Sequence, residues 1–216
     1  MAGKSGKAHR NSAKQNQGRS PLRGGGEVRI IGGDWRGRKL PVLDAEGLRP
    51  TSDRVRETLF NWLQFDIAGS RCLDMFAGSG ALSFEALSRG AAQATLLELN
   101  GANAKQLQTN LKTLNVNQPA TKATVVQADS LQWLQGCTEP PFDIVFIDPP
   151  FHQGLMQQSI DLLFAKQLIK ADGWLYLEQE NDLPWPRLVD GWYCHREKKT
   201  SQVKFGLFAF DECAAK

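Results

Sequence analysis

Cys72-Leu73-Asp74-Met75-Phe76-Ala77-Gly78-Ser79-Gly80-Ala81 carries a short apolar strand into a glycine-rich turn and then into a helix. The strand reads as Cys72–Phe76 and the helix as Ser79–Arg89, ended by Gly90. From here strands and helices alternate. Ala94–Leu99, Ala123–Gln127, Phe142–Ile147 and Gly173–Glu178 have strand character. Ala102–Leu114, Ser130–Leu134 and Leu155–Ala165 have helical character. The run Phe142-Asp143-Ile144-Val145-Phe146-Ile147 is nearly all apolar, as in a parallel strand covered on both faces. Gly191–Arg196 and Val203–Phe210 are joined by a polar Glu197–Ser201 turn, so these last strands must be antiparallel to each other. The order implies an α/β, Rossmann-like sheet of seven strands, mostly parallel with an antiparallel last strand and right-handed crossovers.

Upstream of this unit the composition changes. Residues 1–26 are rich in Gly, Ser, Lys, Arg, Asn and Gln, and predict a disordered basic tail. Residues 27–48 predict a small N-terminal β-hairpin extension, with Val28-Arg29-Ile30-Ile31, a Gly32-Gly33-Asp34 turn and Gly37–Val42, and with Trp35 near its tip. Residues 49–216 form the main domain, which opens with a helix capped by Thr51, Ser52 or Asp53 and running to about Leu63. In that helix Val55, Leu59, Trp62 and Leu63 make the apolar stripe, and Arg54, Arg56 and Glu57 lie off it.

Charge is distributed unevenly. Residues 1–40 hold ten Lys/Arg against two acids, a surplus of eight, and the rest hold sixteen against twenty-one, a deficit of five. A basic arm on a mildly acidic body suits a polyanionic partner. The four cysteines are scattered without a CxxC pair, which argues against a metal site or a disulfide framework. No apolar run approaches the roughly 20 residues of a membrane span, and no apolar stretch follows the basic start as in a secretory signal. A cytoplasmic monomer with no membrane and no metal is the expectation.

In a doubly wound sheet, ligands bind beyond the carboxyl ends of the strands at the switch point. Gly78 and Gly80 let backbone approach a ligand there. The third glycine of a dinucleotide fingerprint is missing. Asp74 instead places a carboxylate before the turn, which disfavours a pyrophosphate and suits a cationic sulfonium with an ammonium group. S-adenosylmethionine is therefore the expected cofactor, held by Asp74, Phe76, Ala77, Gly78, Ser79, Gly80, Glu98, Leu99, Asp129, Ser130 and Asp148. Glu98, ending the second strand of the sheet, suits the two ribose hydroxyls. Asp129 either accepts from the adenine amino group or caps the following helix.

Asp148-Pro149-Pro150-Phe151 is the candidate catalytic loop. Two prolines remove two backbone donors, so the loop offers mainly acceptors. A base –NH₂ group offers two donors. Holding both orients the nitrogen lone pair for in-line attack, and Phe151 supplies a stacking face worth roughly 1–3 kcal/mol. Such catalysis rests on positioning and electrostatics. A cytosine-C5 mechanism needs a cysteine nucleophile, typically after proline, and none of the cysteines follows one.

Together these residues resemble the RsmD family, the bacterial 16S ribosomal RNA guanine-N2 methyltransferases. The likeness spans about residues 28–210 and includes Arg29–Leu40, Arg49–Trp62, Asp74–Gly80 and Asp148–Phe151. The first two blocks distinguish this family from other enzymes with the same catalytic tetrapeptide. The resemblance implies a class I S-adenosylmethionine-dependent methyltransferase fold, acting on one guanine of 16S ribosomal RNA in an assembled or assembling small subunit. It also implies RNA contacts by Arg29, Trp35, Arg36, Arg38 and Lys39, and a substrate cleft bordered by Arg49, Thr51, Asp53, Arg54 and Arg56. Two alternatives stand beside it: an adenine-N6 methyltransferase, which shares the loop chemistry, and a non-catalytic RNA-binding assembly factor.

Overall fold

The computed structural model describes Met1 and residues 26–43, 51–116 and 121–212. Tail residues 2–25 and Arg49 fall outside these. A hairpin of β1 (Glu27–Arg29) and β2 (Lys39–Pro41) precedes α1 (Asp53–Trp62). There follow β3 (Arg71–Asp74), α2 (Ala81–Ser88), β4 (Gln93–Glu98), α3 (Gly101–Thr113), β5 (Lys122–Gln127) and α4 (Ser130–Gly136). The chain continues through β6 (Phe142–Ile147), α5 (Leu155–Ala165), β7 (Ile169–Glu180), β8 (Trp192–Lys199) and β9 (Val203–Phe210).

Strands β3 to β9 form one seven-stranded sheet in the order β5-β4-β3-β6-β7-β9-β8. The first five pair in parallel, and β9 runs antiparallel to both β7 and β8. Chain order reverses between β3 and β6, so the switch point opens beyond their carboxyl ends. The expected sheet is therefore the observed one. β7 is longer than its apolar run, beginning at Ile169, with a register shift opposite Phe142 and Ile144. Helix α2 begins at Ala81 rather than Ser79, because Gly78 (φ 51°) and Gly80 (φ 75°) hold left-handed conformations. A Cβ on Gly80 would also meet Phe84 at 2.4 Å and Leu107 at 2.6 Å.

The pleat divides the core in two. On β6, Ile144 and Phe146 point to the side covered by the hairpin and α1–α3, while Val145 and Ile147 point to the side of α4 and α5. Val28, Ile30, Leu40 and Val42 bury the hairpin in the first of these cores, against α1 and α2. No helix among the described residues is long and apolar enough to cross a membrane.

One buried carboxylate fastens the hairpin. Glu85 of α2 accepts from the Ile31 and Gly32 backbone N–H groups, each at 2.8 Å. It also pairs with Arg89 at 2.7 Å and with Arg56 at 3.6 Å. At the end of α2, Ser88 accepts from the Trp35 N–H at 2.9 Å and donates to the Gly32 carbonyl at 2.6 Å. Gly33 (φ 73°) passes so close that a Cβ would lie 1.8 Å from the Ser88 carbonyl oxygen. Arg56 thus departs from its expected place on the cleft rim. It is 1% exposed, donates to the Arg29 carbonyl at 2.8 Å and to Asp53 at 2.7 Å, and cannot reach a phosphate.

Glu85→Ala leaves the Arg56 guanidinium buried with part of its compensation gone, and strips two backbone donors of their acceptor. Removing one partner of a buried ion pair costs about 3–5 kcal/mol. Urea denaturation should show the midpoint falling with its slope unchanged; an unshifted midpoint would show that the clamp contributes nothing.

Candidate active site

Strand β3 ends in Asp74, whose carboxylate is 3% exposed and accepts from Ser83 Oγ at 2.7 Å. Burial pushes Asp74 up to about 6, against the opposing hydrogen bonds from Ser83 and Phe76, and the charge of Glu98 adds to the rise. The turn that follows is tied to β4 by the Ala77 N–H donating to the Leu97 carbonyl at 2.9 Å.

Glu98 ends β4. Its two oxygens accept from the Gly78 N–H at 2.9 Å and the Asn100 N–H at 2.7 Å. Burial raises this carboxyl and those backbone donors oppose the rise. Each oxygen keeps further lone-pair capacity. Beside it Leu99 is 69% exposed, an apolar face at the cleft. Phe76 is half-buried, while Ala77 and Ser79 are buried.

Asp129 caps α4, its Oδ1 accepting from the Gln132 N–H at 2.9 Å, and stays half-exposed. Of its two readings, the cap is thus present in the geometry. Ser130 turns inward and donates to the Met75 carbonyl, tying α4 to the loop after β3.

The second loop leaves β6, the neighbour of β3. Pro149 is buried, and Phe151 is exposed beside the loop mouth. Asp148 is half-buried, and Thr51 Oγ1 donates to its Oδ2 at 3.1 Å. Burial drives Asp148 well above the usual carboxylate range. Glu178 adds to the rise, Thr51 opposes it, and Asp74 and Glu180 contribute further. The Thr51 hydroxyl also opposes the rise of Glu178, and the Tyr176 hydroxyl donates to Glu178 Oε2 at 2.7 Å. Glu180 accepts from the His152 N–H at 2.8 Å, holding the chain just past Phe151.

Glu178, Glu180 and Tyr176 were not anticipated from the sequence. Leu175-Tyr176-Leu177-Glu178-Gln179-Glu180 reads simply as a strand ending in polar residues. The available signal was the place: acids at the carboxyl end of a strand beside the one that leads into Asp148.

The basic hairpin residues lie on the surface. Arg29 pairs with Asp53 at 3.1 Å, and Lys39 with Glu27 at 2.9 Å. Arg38 donates to the Thr113 carbonyl at 2.8 Å. Arg36 and Arg54 are exposed, and Trp35 is partly buried against the hairpin-side core. Thr51 sits at the Asp148–Phe151 loop.

A family model described as Conserved hypothetical protein 95 matches residues 28–209. Ribosomal RNA small subunit methyltransferase D of Haemophilus influenzae is 51% identical over 186 residues, covering 85% of this chain and 94% of that one. The Escherichia coli protein of the same name is 49% identical over 185 residues, covering 86% and 91%. The chain belongs to the RsmD family. The solved structure of yhhF from Escherichia coli is 46% identical with a TM-score of 0.77, over 88% of this chain and 100% of that one. The Thermus thermophilus 16S rRNA N2 G1207 methyltransferase, solved with AdoMet and guanosine, shares the fold at 23% identity and a TM-score of 0.62, over 87% of this chain and 50% of that one.

In this RsmD-family chain, ionising Asp74 in its buried place works against folding. Its carboxyl is raised from 3.8 to about 6 in the folded state, so the folded protein holds the proton more tightly and loses stability as pH rises through that window. Asp74→Asn should therefore be more stable than the parent near pH 8, by about 2–3 kcal/mol, with the difference vanishing below about pH 4. Denaturation curves across pH measure this, and a pH-independent difference would contradict it.

Proposed function

We propose that this protein transfers a methyl group from S-adenosylmethionine to the exocyclic N2 of one guanine in 16S ribosomal RNA, within an assembled or assembling small subunit in the cytoplasm. One observation carries the reading. The Asp74–Gly80 turn and the Asp148–Phe151 loop leave the adjacent parallel strands β3 and β6, whose register pairs Asp74 with Phe146, at the point where strand order reverses.

The residues present fit the cofactor. Asp74 and Glu98 give an anionic rim suited to a cation with hydroxyls to satisfy, and Phe76 and Leu99 add apolar surface. Asp129 keeps one oxygen beyond its cap for a base amine. When bound, S-adenosylmethionine supplies an electrophilic methyl group.

The rest belongs to the chain itself. Asp148 and the carbonyls around Pro149 accept the two amine hydrogens and aim the nitrogen lone pair. Phe151 stacks on the base. The prolines limit the loop to this shape, so little reorganisation accompanies the chemistry. Arg29, Trp35, Arg36, Arg38 and Lys39 on the hairpin face, with Arg54 near the cleft, meet the RNA backbone. The hairpin extension of 27–48 carries the contact surface, and 49–216 carries the chemistry. The two relatives named ribosomal RNA small subunit methyltransferase D support this substrate class.

Mass spectrometry of 16S nucleosides from a strain lacking the protein should show loss of N2-methylguanosine, restored by the parent gene and not by Asp148→Ala or Phe151→Ala. Both variants should bind S-adenosylmethionine much as the parent does in calorimetry. Loss of N6-methyladenine instead would favour the adenine reading. Replacing Arg36 and Arg38 with Glu should weaken RNA binding most at low salt, and lower the slope of log affinity against log salt by about 1.5–2. An unchanged slope would remove the hairpin from the RNA interface.

A further inference from the structure

At the carboxyl ends of the strands, four acids share one face of the sheet. The alternation that sends Cys72, Leu96, Ile144, Phe146 and Tyr176 into the hairpin-side core sends Asp74, Glu98 and Glu178 the same way, and Asp148 follows Phe146 by two residues. Ile147 pairs with Leu177, so Asp148 comes out beside Glu178. Three of these acids have assigned tasks. Glu178 has none, yet it is 5% exposed and accepts from the Tyr176 hydroxyl.

We propose that Glu178 is a positioning residue for Asp148, acting through the Thr51 hydroxyl, and that this chain carries away the proton the amine sheds on methylation. The inference rests on the amine-methylation reading above. Methylation replaces one N–H bond of the amine with an N–C bond, so one proton must leave the nitrogen. Asp148 is the acceptor in contact with it. Thr51 Oγ1 donates to Asp148 Oδ2 at 3.1 Å in the resting geometry, and the same hydroxyl lies close enough to lower the proton affinity of Glu178. Once Asp148 takes the proton, the hydroxyl rotates. It then accepts from Asp148 and donates its own hydrogen to Glu178. Asp148 returns to its carboxylate form, and Glu178 holds the proton until solvent removes it.

Tyr176 prevents a short circuit. Its hydroxyl, fully buried, donates to Glu178 Oε2 at 2.7 Å, and burial together with the charges of Glu178 and Asp148 pushes its own proton affinity well up, so it stays a donor. It occupies one oxygen of Glu178 and leaves the other for Thr51.

The groups facing the pair are Thr51 from the segment before α1, Tyr176 and Glu180 from β7, and Asp74 from β3. Among the described residues the charged members are all acids. Burial raises Glu178 to about 7 and Asp148 well above its ordinary value, and the Glu178 charge adds to the rise of Asp148. Their protons therefore belong to the pair rather than to either residue.

Glu178→Gln removes one charge from the pair, so Asp148 alone should ionise at lower pH. The acid limb of the kcat profile should move down by about one pH unit or more. The plateau should fall about tenfold because the final acceptor is gone. KM for RNA and the affinity for S-adenosylmethionine should hold. A residue that only supported the fold would lower the rate at every pH without moving the limb. The readout independent of turnover is ¹³C-carboxyl NMR of the protein without cofactor. There two coupled carboxyls should titrate together above the ordinary carboxylate range in the parent, and Asp148 alone at lower pH in the variant.

Should Glu178→Gln fail to fold, Thr51→Val breaks the chain while keeping both acids, and Thr51→Ser should recover most of what Thr51→Val loses. An unmoved pH limb, an Asp148 that titrates in the ordinary carboxylate range in the parent, or equal activity in Thr51→Val and Thr51→Ser would each overturn the proposal. A parent protein that forms no N-methylated base would instead overturn the proposed function.

Discussion

A pleated strand sends successive side chains to opposite faces, and in a parallel sheet neighbouring strands keep that alternation in phase. On β3, β4, β6 and β7 the phase is such that the acids at the strand ends lie on the side of the hairpin and α1–α3, above a core of Phe146, Tyr176, Phe205 and Leu207. The anionic cleft is a consequence of this register. A slip of one residue in β6 would turn Asp148 to the α4–α5 face, away from Asp74, Thr51 and Glu178.

Crowding carboxylates over an apolar core is unfavourable, and the raised proton affinities of Asp74, Glu98, Asp148 and Glu178 record it. Fixed donors relieve part of the strain: Ser83 for Asp74, the Gly78 and Asn100 N–H groups for Glu98, Thr51 for Asp148 and Tyr176 for Glu178. What remains unmatched is negative charge facing an open cleft. A cationic ligand relieves it, and such a ligand stabilises the folded state by mass action. The same residues that weaken the empty protein therefore favour a cationic ligand over an anionic one.

The hairpin obeys a different electrostatic logic. Glu85, buried in α2, is matched by Arg56, Arg89 and two backbone donors, so its charge is compensated inside the protein. This fixes the hairpin as part of the hairpin-side core and brings its basic surface to the side of the sheet where the cleft opens. Arg29, Arg36, Arg38 and Lys39 remain outside, where exposed pairs such as Arg29–Asp53 hold only loosely and can be exchanged for a polyanion.

The sequence by itself determined the strand and helix order, the antiparallel end of the sheet and the two loops at its switch point. Those features depend on local chemistry: apolar runs, glycines at positive φ, and a proline pair that leaves only acceptors. It also marked Asp74, Glu98 and Asp148, because each stands at the end of a strand. It could not separate Arg56 from Arg54, since a charged residue off the apolar stripe reads as exposed unless its buried partner, Glu85, is known to lie 29 positions away. Nor could it join Thr51 to Asp148, 97 residues apart, or bring Glu178 beside them. Only the pairing of β6 with β7 and the packing of the α1 segment over their ends decided those contacts, because a polar side chain's role is set by what surrounds it in space.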